Sequence, residues 1–113
     1  FVYLGLTDSA GHQYGWMGKE YLQACRQSLD EIQMLTESFM DEYTIIITAD
    51  HGGHDRTHGS LEKEDMLIPL ICIGPDFCPG SRFEQAGICD IAPTITRLSG
   101  ASPAREWEGN SLI

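Results

Sequence analysis

Positive charge is scarce in this sequence. The 113 residues include 7 lysines and arginines against 17 aspartates and glutamates, for a formal net charge of −10. Proteins that bind nucleic acids or anionic membrane surfaces do so through basic patches. The composition therefore argues against both kinds of partner. Part of the negative charge would be offset if the protein binds divalent cations.

Long apolar runs are missing as well. No stretch approaches the roughly 20 apolar residues that span a bilayer, and no signal peptide is visible, so we predict no membrane segment. The chain opens on Phe1-Val2-Tyr3-Leu4, within an apparent strand and without an initiator methionine. We therefore expect a piece of a longer protein, with enough residues for a single domain.

Closely spaced cysteine pairs are the third absence. The four cysteines show no C-x-x-C spacing; they are Cys25, Cys72, Cys78 and Cys89. This pattern favours reduced, structural thiols over a disulfide framework or a four-cysteine zinc site. A cytoplasmic setting is the corresponding expectation.

The most informative stretch is a loop rich in histidine and glycine. Residues 48–60 read T-A-D-H-G-G-H-D-R-T-H-G-S and hold three of the four histidines. The preceding β-branched run, residues 43–48, predicts a buried strand. In open α/β sheets, ligands bind beyond the carboxyl ends of the strands. Carboxylate oxygen and imidazole nitrogen atoms at such a position suit zinc, manganese or a similar divalent ion.

A second Asp/His pair lies near the start of the chain. Residues 1–6 predict a first strand, and Asp8 and His12 follow it. If Asp8 begins a helical turn, His12 lies on the same face at i+4, where both side chains could bind one cation. The alternative is that Asp8 only caps the next helix.

Apolar residues at helical spacing predict one long helix over residues 16–40. They are Leu22, Cys25, Leu29, Ile32, Leu35 and Phe39. Strand, helix and strand form a βαβ unit with parallel strands and a right-handed crossover. The carboxyl ends of the two strands would then bring Asp8 and Asp50 side by side.

The rest of the chain predicts structural elements without a site. Residues 62–65 are a charge run, interpreted as a solvated turn, and residues 68–73 predict a third strand whose direction stays open. Asp90 precedes an apolar helix that ends near Ser99 and Gly100. A third metal carboxylate at Asp90 is the alternative, but helix capping explains it better.

Six short motifs occur in order along the chain: Asp8-x-x-x-His12, Thr48-Ala49-Asp50-His51-Gly52-Gly53, His58-Gly59, Ile68-Pro69-Leu70, Gly74-Pro75 and Asp90-Ile91-Ala92-Pro93-Thr94. With these motifs the chain resembles the alkaline phosphatase superfamily, with the type I phosphodiesterase/nucleotide pyrophosphatase branch as the nearest match. Phosphoglycerate mutases, phosphopentomutases and arylsulfatases share parts of the pattern.

This resemblance implies an α/β fold with a mostly parallel sheet and flanking helices, of which residues 1–113 form a C-terminal, truncated portion. It implies two divalent ions, with zinc expected and manganese as the alternative. One ion would bind Asp8, His12 and His58, and the other Asp50 and His51. The role of His54 stays open between a phosphate contact and support of the ligands.

The expected function is hydrolysis of a phosphodiester or nucleotide pyrophosphate. The resemblance places the Thr or Ser nucleophile in an N-terminal half, so no catalytic residue is assigned here and the chain alone is expected to be inactive. The alternatives are a phosphomutase or sulfatase of the same superfamily, or a non-catalytic metal-binding module. An unpaired strand edge and uncovered apolar surface would make the chain self-associate.

Overall fold

The computed structural model describes all residues, 1–113. It divides into two compact units, Phe1–Gly74 and Pro75–Ile113. The first unit contains helix α1 (Leu6–Tyr14), helix α2 (Lys19–Phe39), strand β1 (Ile45–Thr48), the short helix α3 (Lys63–Met66) and strand β2 (Leu70–Ile73). The second contains a 3₁₀ turn (Ile88–Asp90) and helix α4 (Ile91–Leu98).

The predicted first strand is wrong. Residues 1–5 have no regular structure, and α1 begins at Leu6. A strand needs a neighbour to pair its backbone groups, and the only sheet consists of β1 and β2. The helix starts where Ser9 donates to the Gly5 carbonyl through both its backbone N–H and its hydroxyl. The predicted βαβ unit is therefore not formed.

The predicted long helix is confirmed as α2. It packs on α1 through small residues, since Ala10 and Gly11 of α1 and Ala24 and Ser28 of α2 are the buried residues of the two helices. Part of the predicted apolar face is not covered by α1: Leu29 is 61% exposed. Small side chains let two helices approach closely, so they decide which face of α2 is covered.

The sheet is antiparallel and has two strands, which corrects the prediction of a mostly parallel sheet. Ile45 pairs with Ile73 and Thr48 pairs with Leu70. The third predicted strand, whose direction the sequence left open, is β2, and it runs antiparallel to β1. Antiparallel strands need no crossover helix, and the segment between β1 and β2 is free to form the loop that carries three histidines.

The second unit has its core at α4, where Pro93 and Thr94 are fully buried. The Thr94 hydroxyl donates to the Asp90 carbonyl oxygen at 2.6 Å and accepts from the Leu112 N–H at 3.0 Å. The helix ends at Leu98 and is followed by Gly100 with φ of 74°, as predicted.

Asp90 occupies the predicted position before α4, but its carboxylate does not cap that helix. Its two oxygens accept from the N–H groups of Gly87 at 2.8 Å and Asn110 at 2.7 Å. These two hydrogen bonds hold the pKa of Asp90 below its usual value. The carboxylate is therefore used to hold the second unit together.

Much apolar surface lies open, including Leu61 at 92% and Ile71 at 50% exposure. Exposed apolar patches are typical of surfaces that pack against another segment or copy. Self-association stays a prediction that this surface supports. No helix is both long enough and apolar enough to cross a bilayer, and all four cysteines are free.

Candidate metal centre

One carboxylate oxygen lies at the centre of the histidine cluster. Asp8 Oδ1 is 3.4 Å from Nε2 of His12, 3.8 Å from Nε2 of His51 and 3.7 Å from Nε2 of His58. This oxygen is buried and has no hydrogen-bond partner. A buried, unpaired charged oxygen is costly, so this atom requires a positively charged neighbour.

Helix α1 brings Asp8 and His12 together, because residues four apart share a helical face. The predicted proximity of the two side chains is confirmed. His12 Nδ1 lies 3.0 Å from the carbonyl oxygen of Arg56. A carbonyl oxygen can only accept, so Nδ1 donates and Nε2 of the neutral ring keeps its lone pair. A hydrogen bond of this kind orients metal-binding histidines.

His51 is oriented in the same way on the loop that follows β1. Its Nδ1 donates to the Gly52 carbonyl oxygen at 2.7 Å, which leaves the Nε2 lone pair available. Two imidazole lone pairs therefore lie beside the unpaired carboxylate oxygen of Asp8. Such an arrangement is repulsive unless positive charge lies between the three atoms. The donor set thus fits a cation.

His58 completes the compact group. Its ring stacks on that of His51, with centroids 3.7 Å apart and planes 16° from parallel. Donor atoms of Asp8, His51 and His58 all lie within 4.8 Å of one another. Tetrahedral zinc, with bonds of about 2.0–2.1 Å, separates its ligand atoms by about 3.3–3.4 Å. The spacings around Asp8 Oδ1 are 3.4–3.8 Å, close to that value, so the residues fit a divalent metal ion.

His51 lies between the two ligand sets that the resemblance implies. It groups with Asp8 and His58, but its Nε2 is about as far from Asp8 Oδ1, at 3.8 Å, as from Asp50, with which the sequence placed it at a second ion. The Asp50 side chain is 71% exposed, and its Oδ2 lies 3.7 Å from His51 Nε2. Its Oδ1 accepts from the His51 backbone N–H at 3.1 Å. Asp50 therefore borders the compact group, and its role as a ligand stays a prediction.

The paired glycines let the loop lie against α3. The N–H groups of Gly52 and Gly53 donate to the carbonyl oxygens of Asp65 at 2.8 Å and Glu64 at 2.9 Å. A side chain at Gly52 would overlap the Glu64 carbonyl, and one at Gly53 would overlap the indole of Trp16. Two residues without side chains are therefore needed directly after His51.

Sequence reasoning missed a buried ion pair beside the site. Asp65 is 3% exposed, so the interpretation of residues 62–65 as a solvated turn is wrong for this residue, although residues 62–64 are exposed. Its Oδ1 accepts from Nδ1 of His54 at 2.8 Å, and its Oδ2 accepts from the Ser60 N–H at 2.8 Å. These bonds brace the loop on both sides of His58. Nothing in the spacing distinguishes Asp65 from its charged neighbours.

The His54–Asp65 bond shifts the pKa of both groups. Hydrogen bonding to His54 lowers the pKa of Asp65 from 3.8 to about 2. Hydrogen bonding to Asp65 raises the pKa of His54 above 6.5. His54 therefore supports the loop, and a phosphate contact of His54 stays a prediction.

Stability should depend on pH through this pair. The raised pKa of His54 contributes stability that is complete below pH 6.5 and is lost as pH rises through the folded-state value. The lowered pKa of Asp65 contributes stability that is present above pH 3.8 and is lost as pH falls towards 2. Thermal unfolding of the wild type and of Asp65→Asn should differ most between pH 3.8 and 6.5. A difference that is constant from pH 3 to 9 would contradict the pairing.

Residues 1–103 match the metalloenzyme superfamily. The chain belongs to this superfamily. Membership agrees with the Asp/His cluster and with the use of divalent metals, and the predicted resemblance to alkaline phosphatase-like enzymes is confirmed at this level. No solved structure matches the chain significantly.

Relatives of this metalloenzyme chain are mutases. It is 31% identical to a phosphopentomutase of Serratia proteamaculans over 101 residues, 89% of the chain and 24% of the relative. It is 30% identical to a 2,3-bisphosphoglycerate-independent phosphoglycerate mutase of Coxiella burnetii over 103 residues, 84% of the chain and 19% of the relative. A phosphopentomutase of Edwardsiella ictaluri is 41% identical over 59 residues, 52% of the chain and 14% of the relative.

These comparisons correct the predicted branch. The relatives are phosphopentomutases and phosphoglycerate mutases, not phosphodiesterases or nucleotide pyrophosphatases. The alternative stated from the sequence, a phosphomutase, is the better supported one. The chain spans about a quarter or less of the length of these relatives.

Proposed function

We propose that this chain supplies part of the metal centre of a phosphomutase, an enzyme that moves a phosphoryl group between positions of a small phosphorylated metabolite. The observation that carries the proposal is the buried, unpaired Asp8 Oδ1 among three imidazole Nε2 atoms at 3.4–3.8 Å. The mutase relatives support phosphoryl transfer without release of phosphate over hydrolysis.

Asp8, His51 and His58 would hold a divalent ion, with His12 beside them. Histidine-rich sets favour zinc or manganese over magnesium, which prefers oxygen ligands. When bound, such an ion stabilises the negative charge on a transferring phosphoryl group. Asp8 would neutralise part of its charge, while the carbonyl oxygens of Arg56 and Gly52 keep two imidazoles correctly turned. A second ion at Asp50 is part of the proposal.

The substrate class proposed from the relatives is a pentose phosphate or a phosphoglycerate. Both are compact monoesters whose dianionic phosphate carries more charge than a diester does. Two cations, or one cation among neutral imidazoles, would attract a dianion more strongly than a monoanion. The proposal therefore differs in a measurable way from the phosphodiesterase expected from the motifs.

Phosphorus NMR of the manganese-loaded chain tests the substrate class, because Mn²⁺ broadens the resonance of a phosphate that binds near it. We expect stronger broadening of a pentose phosphate and of phosphoglycerate than of nitrophenyl phosphodiester at equal concentration. His58→Ala, which removes one member of the compact group, is the control for manganese that is not held there. Stronger broadening of the diester would favour the phosphodiesterase branch.

A further inference from the structure

The Trp16 indole lies against two histidines of the cluster. Its centroid is 5.1 Å from the His12 ring, edge to face at 88°, and 5.9 Å from the His58 ring at 69°. Both contacts have the edge-on geometry that aromatic rings prefer. Trp16 therefore touches side chains from α1 and from the loop, which are more than forty residues apart in the sequence.

The indole packs directly against the backbone at two glycines. A side chain at Gly11 would come within 2.6 Å of the indole, and one at Gly53 would overlap it. Gly11 is the residue before His12, and Gly53 is two residues after His51. The backbone N–H of Trp16 donates to the Asp55 carbonyl oxygen at 2.7 Å, which ties residue 16 to the loop. The indole itself lies against backbone of both segments that carry the imidazoles.

His58 depends on ring contacts more than the other two histidines do. His12 and His51 are turned by hydrogen bonds from Nδ1 to carbonyl oxygens. The His58 side chain has no such bond; its ring lies on His51, with the rings of His12 and Trp16 at 5.0 and 5.9 Å. Because His12 and Trp16 also touch each other, the indole closes one side of the space that His58 occupies.

We propose that Trp16 is a positioning residue of the metal centre, which holds the imidazoles of His12 and His58 in the orientation that binds the ion. The inference rests on the proposed function, because it needs a metal at the cluster. A hydrogen-bonding partner of a metal ligand typically alters affinity 10–100-fold. We expect an aromatic wall that fixes two imidazoles to have an effect near the lower end of that range.

The test compares zinc affinity by calorimetry in four forms of the 113-residue chain. Trp16→Leu should bind zinc about tenfold more weakly than the wild type, and Trp16→Phe should recover most of the affinity because a ring remains. The other tryptophan, Trp107, is the matched control; it is 46% exposed and lies in the second compact unit. Trp107→Phe should bind zinc like the wild type.

Two spectroscopic readouts separate positioning from a general effect on folding. The chain has two tryptophans, so Trp107→Phe leaves Trp16 as the only indole, and its fluorescence should be quenched as Co²⁺ binds. The visible absorption of bound Co²⁺ should differ between Trp16→Leu and the wild type, because it reports ligand geometry. A residue that only stabilises the fold would lower the unfolding temperature and leave that spectrum unchanged.

The outcomes distinguish this inference from the proposed function. Wild-type affinity and an unchanged cobalt spectrum in Trp16→Leu, together with lost binding in Asp8→Asn, would overturn the role of Trp16 alone. Equal binding by the wild type and Asp8→Asn would overturn the metal centre itself. If circular dichroism shows that Trp16→Leu is unfolded, Trp16→Met, which has a longer apolar side chain without a ring, decides. Weaker zinc binding and a changed cobalt spectrum in Trp16→Met support the inference, and wild-type affinity with an identical spectrum overturns it.

Discussion

Replacing Asp8 with asparagine should reduce zinc affinity by at least about 100-fold, since even partners of ligands contribute 10–100-fold. Asp8 Oδ1 is the atom that all three imidazole nitrogens approach, and it has no other partner. The amide has the shape of the carboxylate without its charge. The change therefore removes the anionic donor and leaves the packing of α1 in place.

Calorimetric titration with zinc measures this effect, and Asp50→Asn is the matched control. Asp50 also carries a carboxylate near His51 Nε2, at 3.7 Å, but it is largely exposed and lies outside the compact group. We expect a much smaller loss of affinity for this variant. Equal losses in the two variants would favour the ligand grouping predicted from the motifs, and unchanged affinity in Asp8→Asn would exclude Asp8 as a ligand.

Replacing Gly52 with alanine should destabilise the first unit by about 1–3 kcal/mol, the usual cost of overpacking. The added methyl group would overlap the carbonyl oxygen of Glu64, a backbone atom that cannot rotate away. Relief requires the loop to move off α3, which breaks the hydrogen bond from Gly52 to the Asp65 carbonyl. Because His51 is the preceding residue, zinc affinity should fall together with stability.

Urea unfolding monitored by circular dichroism measures the loss, with Gly5→Ala as the control in the same unit. The methyl group at Gly5 would meet only the Tyr3 ring, at 3.1 Å. Tyr3 is 69% exposed and can turn aside, so we expect a change within about 0.5 kcal/mol. A Gly52→Ala variant as stable as Gly5→Ala would show that the loop does not lie against α3 as the structure has it.

Local sequence spacing predicted the parts of the site that lie close along the chain. Asp8 and His12 are four residues apart, and one helical turn brings such residues together wherever the helix lies. Helix α2 was predictable for the same reason, from apolar residues that recur every three or four positions. The concentration of His51, His54 and His58 in one Gly-rich loop likewise required no knowledge of the fold.

Contacts between distant segments were decided only by the tertiary structure. The predicted strand over residues 1–6 has a suitable sequence but no neighbour to pair with, so its backbone stays irregular and the sheet is antiparallel. The grouping of His51 with Asp8 depends on how the loop after β1 meets α1. The residue spacing within the loop or within α1 does not specify how these two segments contact each other.

By itself, the sequence determined that aspartate and histidine side chains of two segments could bind a divalent cation, because residue type and local period are properties of short stretches. The tertiary structure decided which imidazoles lie around the carboxylate oxygen of Asp8. It also decided that Asp65 is buried against His54 and that Trp16 contacts both segments. Each of these depends on packing across dozens of residues. Packing is determined by which surfaces exclude water together, and no single segment specifies that alone.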